Sequence, residues 1–141
     1  MTEPEAALVG AIGAALEITD ADGSHQCHLG THSRVADGRQ LCWRPSKLRS
    51  ASFAVDAEII TQPVPPALRA RLAAAVETAE FWRRWTRAEV CAKLFDVPIV
   101  VWVRRHGLPD QSLTRLGGQR VHLVTTAVDD LAVTYGMRVT T

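Results

Sequence analysis

The chain has 141 residues, 47% of them hydrophobic and 22% charged, with a formal net charge of +1. That length suits one domain, residues 1–141, with enough apolar side chains for a core, and the composition excludes collagen-like, coiled-coil and disordered chains. Near-neutral charge gives no footing for nucleic acid or a membrane surface, and no apolar run approaches the roughly 18 residues of a membrane span.

From the N-terminus, residues from about 4 to 18 are rich in Ala, Leu and Val at helical spacing and predict a helix. This segment opens on acidic residues and lacks a basic leader, which argues against export. Asp20, Asp22 and Gly23 predict a turn, and residues 25–52 predict short strands and loops. Ala51 to Ile60 predicts a strand with Phe53, Val55 and Ala57 on one face and Ala54, Asp56 and Glu58 on the other. Pro63, Pro65 and Pro66 interrupt regular structure, and Pro66 suits the first turn of a helix. Residues 66–80 then predict a helix. A second is expected from Thr86, where Thr86 and Glu89 fit a capping box, to about Phe95. Within residues 96–107 the valines favour a strand, but Pro98, a basic end and Gly107 tip the expectation to a helix. Residues 119–128 and 131–135 predict a terminal strand pair, and Gly117-Gly118 a turn.

Three cysteines, Cys27, Cys42 and Cys91, make a poor disulfide framework and point to a reducing, cytoplasmic setting. Cys91 falls at an apolar helical position and suits a buried free thiol. Arginines cluster at 69, 71, 83, 84 and 87 and again at 104 and 105. They read either as solvated helix faces or as an anion site or a docking surface for an acidic partner. His25, Cys27, His28 and His32 are zinc-type ligands, but their spacing matches no finger pattern, and a polar loop is the simpler account. Phe81, Trp82 and Trp85 read as core, with base stacking the minor alternative.

Four residues carry the chemical argument. Asp56 and Glu58 lie two apart on a strand, so both carboxylates leave one face, and their repulsion favours a cation between them. Hard oxygen ligands suit Mg²⁺, which takes one or two carboxylates and completes its shell with water and phosphate. Glu89 and Lys93 lie four apart on a helix. By themselves Glu89 and Lys93 read as a surface ion pair worth a few tenths of a kcal/mol, and Asp56 and Glu58 as an exposed strand edge.

The order of the pieces says more. Thr31-His32-Ser33, then Phe53-Ala-Val-Asp-Ala-Glu58, then Trp85-Thr-Arg-Ala-Glu-Val-Cys-Ala-Lys93 resembles the signature of the surfactin-type 4'-phosphopantetheinyl transferases. That family reads S-H-S, G-[IV]-D-x-E and [FW]-[ST]-x-K-E-[SA]-x-x-K. The likeness covers about residues 31–94. Here Ala88 replaces the Lys before the motif Glu, Ala54 the Gly, and Thr31 the first Ser. The resemblance implies an α+β half-domain, a small sheet packed with helices. It also implies Mg²⁺ held by Asp56, Glu58 and Glu89, and coenzyme A contacted by His32 and Lys93. Glu89 and Lys93 would be the catalytic pair, with Glu89 the base for a serine of an acyl or peptidyl carrier protein and Lys93 assisting the leaving group. Family members of this type have two related halves, so a homo-oligomer is expected. The alternative is a catalytically silent binding or scaffold module that keeps the fold.

Overall fold

The computed structural model describes residues 6, 8–10, 12, 16–21, 30–45, 51–72, 76–110, 113–116 and 118–139. In chain order the elements are β1 (Leu16–Thr19), β2 (Thr31–Arg34), β3 (Gln40–Trp43), β4 (Ala51–Ile59), α1 (Pro66–Arg71), α2 (Thr78–Leu94), α3 (Ile99–His106), β5 (Leu113–Leu116), β6 (Gln119–Val128) and β7 (Leu131–Val139). The architecture is α+β, with two antiparallel sheets where one was expected: β1-β3-β2 and β4-β7-β6-β5. Among the described residues no helix is long and apolar enough to cross a membrane.

Alternation in β4 explains how the layers stack. Val55 and Ala57 join Leu131, Val133, Tyr135 and Met137 of β7, and Leu41 and Trp43 of β3, in one buried cluster between the sheets. Trp43 packs edge-on against Phe53 and Tyr135, at ring separations of 5.6 and 5.0 Å. The opposite face of β4 carries Ala54, which packs with Val90, Cys91 and Leu94 of α2 and with Leu123 of β6. Helix α2 therefore lies across the second sheet. Gly136 of β7 lets it come close, because a Cβ there would collide with Val90 Cγ1 and crowd Leu94 and Leu123.

A polar row runs through this otherwise apolar contact. The register pairs Asp56 of β4 with Thr134 of β7, and Thr134 with Thr125 of β6, so all three side chains share the face under α2. Thr86 hydroxyl donates to the Arg83 carbonyl at 2.8 Å, which commits its only proton. The 2.8 Å contact between Thr86 and Thr134 must then be donated by Thr134, and the 2.8 Å contact between Thr125 and Thr134 by Thr125. Arg87 Nε donates to Thr125 at 2.9 Å and closes the sequence. Four hydrogen bonds thus run one way, from Arg87 to Thr125 to Thr134 to Thr86 to the carbonyl of Arg83.

Several expectations are corrected. Residues 8–10 are helical, but the helix expected to 18 gives way to β1, whose Leu16 packs against the inter-sheet core. The helix expected over 66–80 ends at Arg71, and α2 begins after Glu77, which holds an extended backbone at φ −58°, ψ 153°. Thr86 is no N-cap. It lies in mid-helix, its hydroxyl bonded within the helix and to Thr134 rather than to a capped amide. Cys42 is disulfide-bonded, which removes the cysteine argument for a reducing compartment, whereas Cys91 is the buried free thiol expected. Strand β5 was not foreseen. Pro66 opens α1, α3 ends against Gly107 at φ 68°, and β6 and β7 meet at Asp129 and Asp130, as expected. The turn positions Asp22, Gly23 and Gly117, and the zinc-type residues His25, Cys27 and His28, lie outside the described residues.

Candidate functional site

Asp56 is fixed from three directions. Strand β4 aims its side chain at α2, β2 brings Ser33 alongside, and α2 reaches back with Lys93. Ser33 Oγ donates to Asp56 Oδ1 at 2.9 Å, and Lys93 Nζ lies 3.2 Å from the same oxygen. Lys93 also donates to the Val55 carbonyl at 2.8 Å and to the His32 carbonyl at 3.4 Å. The ammonium therefore pins β2 and β4 to α2. Asp56 Oδ2 is buried and makes no hydrogen bond among the described residues. Burial raises the Asp56 pKa, while the Lys93 charge and the Ser33 hydroxyl oppose that rise.

Glu58 and Glu89 flank this pair. Glu58 Oε2 accepts from Gln62 Nε2 at 2.7 Å, and Glu89 accepts from the side chain of Trp85, one turn earlier on α2. Burial pushes both carboxyls up to about 7. Asp56 adds repulsion to each, and Glu89 adds more to Glu58. The three acids thus share one electrostatic neighbourhood around a single ammonium. The Trp82 indole donates to the Gln62 carbonyl at 2.8 Å, so the aromatic cluster of α2 also steadies the loop that holds Glu58. A cleft of about 400 Å³ opens beside them, lined by Glu89, Lys93 and Asp96 with Ala92 and the start of α3.

The four residues singled out on the sequence are therefore brought together, but not as first drawn. The simple ion pair considered between Glu89 and Lys93 is replaced by one between Lys93 and Asp56. His32 is in place on β2, yet its side chain is exposed and its carbonyl makes the contact. Among the described residues no three His, Cys, Asp or Glu side chains converge closely enough to form a ready ligand shell. The donor set still suits a hard cation in two respects. Asp56 Oδ2 is a buried acceptor with no donor among the described residues, and two neighbouring carboxyls are pushed up to about 7 by burial first and by the nearby negative charge second.

Sequence reasoning missed Ser33, Gln62 and Trp85 as supports. Trp85 and Gln62 each lie four residues from the glutamate they hold, a spacing open to inspection; Ser33 lies 23 residues from Asp56 and had no local signal.

Comparison with protein families, with curated proteins and with solved structures finds no match to this chain.

Proposed function

We propose that this domain is a Mg²⁺-dependent transferase that moves the 4'-phosphopantetheine arm of coenzyme A to a serine of an acyl or peptidyl carrier protein, working as a homo-oligomer. The observation that carries the proposal is the buried Asp56 Oδ2, unpartnered among the described residues, beside the Lys93 ammonium, with Glu58 and Glu89 in the same field. Asp56, Glu58 and Glu89 would hold the ion. When bound, Mg²⁺ would neutralise the diphosphate and so favour departure of adenosine 3',5'-bisphosphate.

The chain's own groups have definite tasks on this account. Lys93 lines the cleft, and its ammonium would meet a diphosphate oxygen by giving up the long 3.4 Å contact with the His32 carbonyl. Glu89, with its pKa near 7, is partly ionised at neutral pH and suits a general base that accepts the serine proton. The serine oxygen then bonds to the phosphorus that carries the pantetheine arm. The bond from that phosphorus to the bridging oxygen breaks, and the electron pair leaves on adenosine 3',5'-bisphosphate. Such chemistry asks the protein for positioning and charge compensation rather than a covalent intermediate.

A second reading has its own observation. Lys93 already compensates Asp56, Gln62 and Trp85 already hold the two glutamates, and no preassembled ligand shell exists among the described residues. A catalytically silent module would use the same network only to bind α2 to the sheet. Incubation with coenzyme A, Mg²⁺ and apo carrier proteins, followed by intact mass, separates the two. The transferase adds a phosphopantetheine mass that disappears with chelator and in Glu89→Ala. The silent module adds none on any carrier: its melting temperature rises with Mg²⁺ and coenzyme A if it is a binding module and ignores both if it is a scaffold.

A further inference from the structure

Helices α1 and α3 repeat one short pattern. Leu68, Arg71 and Leu72 lie at i, i+3 and i+4 of α1 and its end, and Val100, Val103 and Arg104 lie at the same spacing on α3. Each helix thus presents two apolar side chains and one arginine on a single face. The two faces and Trp85 of α2 line one groove of about 400 Å³. Val100 is left 62% exposed there, one of the few large apolar side chains the described fold leaves uncovered.

The charges at this groove are uncommitted. Among the described residues Arg71 and Arg104 make no hydrogen bond or ion pair, whereas Arg69 bonds the Val76 carbonyl and Thr78, and Arg84 bonds Glu80. Among the described residues no carboxylate lines the groove. An apolar slot with a guanidinium on each of two walls is complementary to a molecule with an alkyl body and an anionic head, and guanidinium pairs bidentately with carboxylate. Its volume falls within the roughly 300–1,000 Å³ of small-molecule sites. A stable protein partner would need a footprint of about 800 Å² on this chain, well beyond the slot alone.

We propose that the groove between α1 and α3 is a binding site for a medium-chain fatty carboxylate, its chain against Leu68, Leu72, Val103 and Trp85 and its head between Arg71 and Arg104. The site lies apart from Asp56 and Lys93 and does not depend on what that cluster does. Its floor residue Trp85 is nonetheless the one whose side chain holds Glu89, so the two sites meet at one indole.

Titration calorimetry with decanoate below its micelle concentration tests the proposal, with decanol and decyltrimethylammonium as matched probes. Decanoate is expected to bind at one site per chain, at least tenfold tighter than either control. Arg71→Gln with Arg104→Gln should weaken decanoate at least tenfold and leave decanol unchanged. Their unpaired guanidinium groups predict an unaltered melting temperature, so loss of binding would not be loss of fold. Val103→Glu, checked by circular dichroism, should abolish binding of decanoate and of decanol. Equal affinity for decanoate and decanol would overturn the proposal, as would an unchanged affinity in the double variant. So would a groove closed by self-association, seen as a sedimenting dimer that excludes decanoate, or one that takes an acidic amphipathic peptide and refuses decanoate.

Discussion

Lys93 is the residue on which most of the candidate site depends. One ammonium serves Asp56, the Val55 carbonyl and the His32 carbonyl, so its loss strands a buried carboxylate and two backbone acceptors at once. Replacing one partner of such a pair costs more than the pair is worth, because the other charge stays buried. Lys93→Met should lower stability in urea by about 1–3 kcal/mol, less than for a fully buried pair because the ammonium is partly exposed. The double variant Asp56→Leu with Lys93→Met should recover most of that loss, since nothing charged is left in the contact. A double variant no more stable than Lys93→Met would show that Asp56 has a structural duty beyond pairing with Lys93.

At the scale of elements, the closeness of α2 to the sheet is set by side-chain size. Gly136 sits in the row with Ala54 and Leu123, where small residues leave room for Val90 and Leu94. Gly136→Ala should cost about 1–3 kcal/mol, the usual result of overpacking a filled contact, although alanine suits a strand better than glycine. A thermal or urea melt that leaves this variant unchanged would mean that α2 can lift away cheaply. The sequence carried β4 almost entirely, because alternation there is strict and both faces are buried. It carried α3 as well, since Pro98 and Gly107 bracket that helix. It misread residues 16–18 as helix, because the chain there is apolar and its strand identity comes from pairing with residues 41–43 of β3, far along the chain. Thr86 was misread for a related reason. A threonine three residues before a glutamate is a cap only when the helix begins there, and the hydroxyl partner that keeps it in mid-helix, Thr134, is 48 residues distant. The acids and Lys93 were legible in order and spacing. Their actual pairing was not, because it follows from where α2 crosses β4.

For the molecule as a whole, the raised carboxyls set a pH dependence. Glu58 and Glu89 have folded-state pKa values near 7 against 4.5 for the free side chain, and Asp56 shifts the same way. A carboxyl with a raised folded pKa favours the native state while protonated, and that contribution fades as pH rises through the folded value. Stability should therefore fall between about pH 5 and pH 8. The two glutamates are partly solvated, so screening leaves about 1–2 kcal/mol for both together, or a few degrees in melting temperature. A melting temperature that rises from pH 6 to pH 8 would contradict the raised folded pKa of these buried carboxyls. If Mg²⁺ binds the cluster, it should raise the melting temperature more at pH 8 than at pH 6, because protons and the ion compete for the same oxygens. Glu58→Gln should flatten the pH profile. Elsewhere the two sheets are also joined outside the core: Arg39, in the turn between β2 and β3, donates to both oxygens of Asp130, in the turn between β6 and β7, at 2.8 and 3.0 Å.

The one-way chain of hydroxyls under α2 has a consequence for time rather than for energy. Thr134 and Thr86 are wholly enclosed, so their hydroxyl hydrogens can trade with solvent deuterium only when the helix parts from the sheet. Those two protons are a clock built into the domain: the rate at which they are lost counts the openings of the contact that holds Lys93 over Asp56.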